Sequence, residues 1–250
     1  MPDTLAAAFA TLGLGWLAAA VFVAGMVRGF AGFGTAMVYL PVAGKFLDPF
    51  EALTTLIAMD MIGPLVNMPR ALRDGHRRDL LRLAAGLVIG LPVGLWALTR
   101  VAPEVFRYAV SIAALVLLAL LIGGVRIRGE LRGGLVTLAG WLGGLLGGAT
   151  GLVGPPVIML YMAAPHPASV VRANITVYLY IADVLMLGVM AGFGRVVPSA
   201  LVLGVALAVP YLAGNAVGGR LFRPDAEQVY RMAAWAIIAI SAISGLPVFG

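Results

Sequence analysis

The sequence has no cysteine, so disulfides, thiol catalysis and thiolate metal sites are all excluded. It has two histidines, His76 and His166, too few for a histidine-rich metal site, and neither a metal nor a cofactor is expected. Charge is scarce as well: Asp, Glu, Lys and Arg make up 11% of the chain, well below the roughly 25% of a soluble domain. No Gly-x-x-x-x-Gly-Lys-[Ser/Thr] loop is present, so the chain does not hydrolyse ATP itself. The residues ahead of the first apolar stretch carry Asp3 and neither Lys nor Arg, unlike the basic start of a signal peptide. That stretch reads as a retained membrane segment.

Apolar residues fill the space left by charge. The chain is 62% hydrophobic with a mean hydropathy of +1.02, which points to an integral membrane protein whose main partner is the lipid bilayer. At about 20 apolar residues per helical crossing, 250 residues hold roughly eight to ten crossings and no extra soluble domain. The predicted fold is an all-α polytopic membrane protein with one transmembrane domain. The net charge of +6 does not indicate nucleic acid, because arginines flanking apolar helices are the ordinary membrane pattern.

Charge clusters and Gly/Pro punctuation divide the apolar sequence into segments at about 4–27, 30–47, 52–69, 80–99, 105–124, 133–148, 152–164, 172–192, 198–219 and 229–247. The segments 30–47 and 152–164 are short and rich in Gly or Pro, so each is a candidate half-crossing, and ten is an upper count. If every segment crosses, or each Gly-rich pair folds as a hairpin, one face receives Arg70, Arg73, Arg77, Arg78, Arg82, Arg126, Arg128, Arg132, Arg172, Arg220, Arg223 and Arg231. The other receives Lys45, Arg100, Arg107 and Arg195, leaving Arg28 either on the basic face or in the membrane. Letting only the two short segments re-enter balances the faces almost evenly. The biased arrangement is preferred, with both termini outside the cytoplasm.

That arrangement gives each half an odd number of crossings and makes the halves, about 4–124 and 133–247, inverted repeats. Gly29, Ala31 and Gly32 align with Gly148, Thr150 and Gly151, and Gly94 and Arg100 have the spacing of Gly214 and Arg220. Two glycine-rich runs therefore fall at equivalent places: Arg28-Gly-Phe-Ala-Gly-Phe-Gly34 followed by Pro41, and Gly147-Gly-Ala-Thr-Gly-Leu-Val-Gly154 followed by Pro155 and Pro156. A membrane helix broken at matching points of two repeats is the best sequence-level pointer to a transporter's binding site, because unwound backbone is tolerated there only where it lines a cavity. Helix N-termini beginning beyond such breaks offer amides and a positive dipole end to an anion. The plainer alternative is that these glycines only allow close helix packing.

Asp60 and Asp183 fall near the middles of segments 52–69 and 172–192, equivalent to within about two positions. A carboxylate at that depth costs roughly 2.5–3.5 kcal/mol on insertion scales, which makes each a functional candidate. They are candidates for a coupling proton, or counter-ions to a buried arginine, with Arg28 the obvious partner; Arg28 is equally readable as a snorkelling anchor. Thr54, Thr55, Asn67, Tyr161, Asn174, Thr176, Tyr178, Tyr180 and Asn215 read mostly as interhelical hydrogen-bond partners. The stretch from Arg70 to Arg82, with Asp74, His76 and Asp79, reads as a solvated loop.

The run Val27-Arg-Gly-Phe-Ala-Gly-Phe-Gly-Thr-Ala-Met-Val38 up to Pro41, Gly-x-x-x-Gly-x-x-Gly-Pro-Pro at 147–156 and Arg172-Ala-Asn174 resemble the TauE/SafE family of sulfite-exporter-type membrane transporters, over essentially the whole chain. Phe30, Ala31 and Phe33 stand where many members have further glycines. The resemblance implies a bacterial inner-membrane permease for sulfite, sulfonates or other small organic anions, with duplicated halves. By the same resemblance the substrate-binding candidates are Gly29, Gly32 and Gly34 with Pro41, then Gly148, Gly151, Gly154 and Pro155 with Pro156, and Arg172 and Asn174. Arg28 joins them from its position at the break. The function these readings support is secondary transport of a small anion bound where the two repeats meet, with a coupling proton and a homo-oligomer as further candidate partners. An anion channel is the alternative. An intramembrane enzyme is weaker, because no catalytic constellation assembles.

Overall fold

The computed structural model describes residues 13–66, 68–124, 131–163, 167–221 and 226–249. The expectations attached to residues 4–12, Asn67, Arg126, Arg128, His166 and Arg223 lie outside the described residues. The structure is 86% helical, and the described residues contain no strand. The helices are α1 (Leu14–Ala31), α2 (Thr35–Ala43), α3 (Pro49–Asp60), α4 (Met68–Asp74), α5 (Arg77–Leu98), α6 (Pro103–Gly123), α7 (Gly133–Thr150), α8 (Gly154–Met162), α9 (Ala168–Gly192), α10 (Pro198–Leu221) and α11 (Glu227–Gly245). Among the described residues, α1, α5, α6, α7, α9 and α10 supply six helices long and apolar enough to cross a membrane. The protein is an all-α, multi-pass membrane protein.

The glycine-rich segments resolve into short helices. α2 and α8 have nine residues each, so each is about 14 Å long, half of the roughly 30 Å hydrocarbon core. Neither spans. After each break the chain doubles back: Gly34 lies against Val27, and a Cβ on Gly147 would meet the Val153 side chain.

A third break was not anticipated. The sequence of segment 52–69 reads as one continuous stretch with Asp60 near its middle, but α3 stops at Asp60 and a short 3-10 turn, Gly63–Val66, follows. Pro64 supplies no amide and disfavours helical backbone at Gly63, and the helix breaks at this Gly-Pro pair although Pro41, Pro92 and Pro210 are carried inside helices. The Arg70–Arg82 stretch, read as a loop, is also largely helical, forming α4 and the first turn of α5.

The chain forms two compact units, and both draw on the two sequence halves. The first contains the residues up to Gly63, Ala102–Leu118, and those from Arg195 onward; the second contains Pro64–Val101 and Ala119–Gly194. In the first unit, α1 lies along α10 with glycines on the contact. A Cβ on Gly25 or Gly29 would strike the Tyr211 or Asn215 carbonyl, and one on Gly214 or Gly218 the Phe22 or Met26 carbonyl. The second unit uses the same device. Gly86, Gly90 and Gly94 of α5 meet the backbone of α7, whose Gly140, Gly144 and Gly148 meet the backbone of α5. Small residues every fourth position let helix backbones approach where lipid gives no hydrophobic drive for association.

Candidate functional site

α1 ends because Gly32 takes a left-handed conformation, φ 80° and ψ −1°, and turns its N–H back to the Arg28 carbonyl at 2.8 Å. Gly34, at φ 105°, then caps the start of α2. The second break repeats this geometry at the position the glycine alignment assigns. Gly151 has φ 79° and ψ −2° and donates to the Gly147 carbonyl at 2.7 Å. Glycine is needed at these two caps because a side chain there would meet its own backbone.

The two breaks differ in what surrounds them. At the first, Arg28 Nη1 lies 3.0 Å from Asp60 Oδ2 and donates to Thr35 Oγ1 at 3.4 Å. The Tyr211 hydroxyl donates to Asp60 Oδ1 at 2.6 Å and lies 3.3 Å from Thr35 Oγ1. Tyr211 has one hydroxyl proton, which Asp60 accepts, so Thr35 donates to Tyr211 while accepting from Arg28. The four side chains close a ring of polar contacts drawn from α1, α2, α3 and α10. All of it lies in the first unit. Thr35, Asp60 and Tyr211 are buried, and the Arg28 and Asp60 side chains are 13% and 12% exposed.

Local electrostatics explain why the ring holds together. Arg28 sits in the last turn of α1, where the helix dipole favours a cation. Asp60 is the last residue of α3, where the dipole disfavours an anion, and Arg28 and Tyr211 offset that. α2 begins against this cluster, and its first intrahelical bond runs from the Val38 amide to the Gly34 carbonyl at 3.1 Å. The amides ahead of Val38 therefore have no partner within the helix.

The second break is built with fewer donors. Gly147 stands at the place equivalent to Arg28, and α8 starts Gly154-Pro155-Pro156, so two positions of its first turn carry no amide proton. Gly154 is buried and lies against Ile158 and Leu179.

The remaining candidates separate. Gly29 and Gly148 sit on the helix-to-helix contacts described above. Pro41 packs inside α2 against Gly245. Asn174 is fully buried and accepts the His76 amide at 2.8 Å, tying α9 to the junction of α4 and α5. Arg172 is exposed on α9. Asp183 is half-buried on α9 in the second unit, whereas Asp60 belongs to the first. Thr54, Thr55 and Thr176 bond chiefly to carbonyls one turn back in their own helices, a local satisfaction rather than the interhelical bonding expected.

Thr35, Tyr211 and Asp79 were not singled out as site residues from sequence. Tyr211 had a visible signal, a lone phenol between Pro210 and Gly214 in an apolar helix. Asp79 is buried in the first turn of α5, 3.1 Å from His76 Nδ1 and 3.4 Å from Arg82 Nη1. An acid is favoured there by the helix N-terminus, which explains its burial in a stretch read as solvated.

Multi-pass helices broken by glycine, with an arginine and a carboxylate paired at one break, define the class: a membrane transport protein. Residues 17–244 match the sequence model described as Sulfite exporter TauE/SafE, and the chain belongs to that family. The family is one of membrane transporters for sulfite-type anions. Comparisons with curated proteins and with solved structures return no match.

Proposed function

We propose that the protein is a secondary permease of the bacterial inner membrane that moves sulfite or a small organosulfonate, and that Arg28 is the anion-binding residue. The observation that carries this reading is the convergence of Arg28, the start of α2 and Thr35 at the first glycine break. A guanidinium presents a planar pair of N–H donors matched to an oxyanion, and helix-terminal amides add donors on the same side. Asp60 is Arg28's resting counter-ion, and Asp60 and Asp183 remain the two candidates to carry a coupling proton. The site draws on both sequence halves, since Arg28, Thr35 and Asp60 come from the first and Tyr211 from the second.

Uptake of labelled sulfite into proteoliposomes tests the reading. The wild-type protein should show saturable uptake. Arg28→Lys keeps the charge but loses the planar fork, so KM should rise by about tenfold, and Arg28→Gln should abolish uptake. Ohmic current without saturation would instead indicate a channel.

A further inference from the structure

We propose that the exposed arginines around the junction of α4 and α5 bind an anionic phospholipid: Arg70, Arg73, Arg77, Arg78 and Arg172 hold the headgroup phosphate, and the outward face of α5 takes an acyl chain. All of these residues belong to the second unit, so the inference is independent of the Arg28 reading. Ala71, Leu80, Ala173 and Val177 form one buried cluster that packs α4, α5 and α9 together. The His76 amide, bonded to Asn174 Oδ1 at 2.8 Å, ties the same junction. Arg70 adjoins Ala71, Arg172 adjoins Ala173, and Arg77 and Arg78 directly follow His76, so three helices bring their arginines to one small core. All five arginines are exposed.

The cluster carries more positive charge than its own acids offset. Among the described residues, none of the five arginines is ion-paired. Of the two acids between Pro64 and Arg82, Asp79 is buried and held by His76 and Arg82, which leaves Asp74 as the exposed carboxylate. Arginines that only anchored the spans would need nothing apolar beside them, but here an apolar stripe continues the basic one. Leu81 lies one turn beyond Arg77 on the same face of α5, and Ala85, Val88 and Ile89 extend it; Leu81, Val88 and Ile89 are 72%, 53% and 62% exposed. α5 and α9 are long and apolar enough to cross a membrane, so their first turns stand at the level of the headgroups. A phospholipid has its parts in that order, phosphate above acyl chain. A soluble phosphate offers nothing to Leu81, and a zwitterionic lipid carries an ammonium that the arginines repel. Guanidinium groups give paired donors to phosphate oxygens, and basic clusters beside membrane helices attract anionic lipids.

Native mass spectrometry of the purified full-length protein, titrated with dioleoyl phosphatidylglycerol, dioleoyl phosphatidylcholine or glycerol phosphate, tests this. Phosphatidylglycerol should bind saturably, and neither phosphatidylcholine nor glycerol phosphate at the same concentration should displace it. Each arginine near the surface contributes about fivefold in affinity, so Arg77→Gln combined with Arg172→Gln should weaken phosphatidylglycerol binding by about 25-fold. Arg77→Lys combined with Arg172→Lys keeps the charge and should restore most of that loss. Arg100→Gln, beyond the opposite end of α5, should bind as the wild type does, whereas Leu81→Gln should weaken binding with no change of charge. Equal binding of phosphatidylcholine, unchanged affinity in the glutamine pair or in Leu81→Gln, or displacement by glycerol phosphate, which would mark a site for soluble phosphate, would overturn the proposal. Wild-type lipid selectivity and Leu81→Gln decide the matter even where the glutamine pair fails to fold.

Discussion

Arg28 is bound by side chains from α2 and α3, and in the proposed reading its charge serves both stability and anion binding, two roles that mutation can separate. Arg28→Gln alone leaves Asp60 as a buried, uncompensated carboxylate, which costs about 3–5 kcal/mol. Replacing both partners by neutral isosteres, Arg28→Gln with Asp60→Asn, removes the orphaned charge and should recover most of that loss. Thermal unfolding in detergent should therefore rank wild type and double variant together, well above Arg28→Gln. Exchange of sulfite should be absent from both variants. A double variant as unstable as the single one would show that the pair is not the source of the stability difference. Tyr211 belongs to the same ring, and its distance in sequence from Asp60 explains why no local pattern joined them. A pairing across 151 positions is invisible to spacing arguments made along one helix, whereas the Arg28–Asp60 pair was legible as two opposite charges in apolar sequence.

At the scale of helices, the glycines divide into two kinds. Gly86, Gly90, Gly94, Gly148, Gly25, Gly29, Gly214 and Gly218 let two helix backbones touch, whereas Gly32 and Gly151 end helices in a left-handed turn. Gly94→Ala would press a methyl group into the Leu145 carbonyl, costing about 1–3 kcal/mol through overpacking. Gly32→Ala meets no atom within 4 Å, so its cost is conformational alone, about 1–2 kcal/mol. Melting temperatures should fall for both, but only Gly32→Ala should also change KM, since it displaces the turn between Arg28 and Thr35. The breaks after Arg28 and Gly147 were legible in sequence because glycine and proline act locally. The two caps, at the aligned glycines Gly32 and Gly151, match within 1° in φ and ψ. The break after Asp60 was missed because one Gly-Pro pair in an apolar run carries little weight against the sixteen other residues of segment 52–69. The burial of Asp79 was missed because a charge-rich stretch gives no sign of which acid turns inward.

For the whole molecule, the compact units do not coincide with the sequence halves. Composition sufficed to establish a helical membrane protein, since 11% charge and 62% hydrophobic residues leave no other solvent. It could not reveal that α10 completes the unit begun by α1, or that α5 lies on α7, because both contacts join residues from different halves. Neither half expressed alone, residues 1–124 or 133–250, should accumulate in the membrane, as each lacks the glycine-faced helix its first or last span packs on. The two halves co-expressed should assemble and restore sulfite uptake; stable accumulation of a single half would contradict that. The central claim is that Arg28, at the first glycine break, binds the transported anion. It is tested most directly by exchange of labelled sulfite in proteoliposomes with no ion gradient, comparing wild type, Arg28→Lys and the Arg28→Gln, Asp60→Asn double variant. The account predicts saturable exchange in the wild type, a raised KM in Arg28→Lys and no exchange in the double variant despite wild-type stability; exchange with an unchanged KM in the double variant would contradict it.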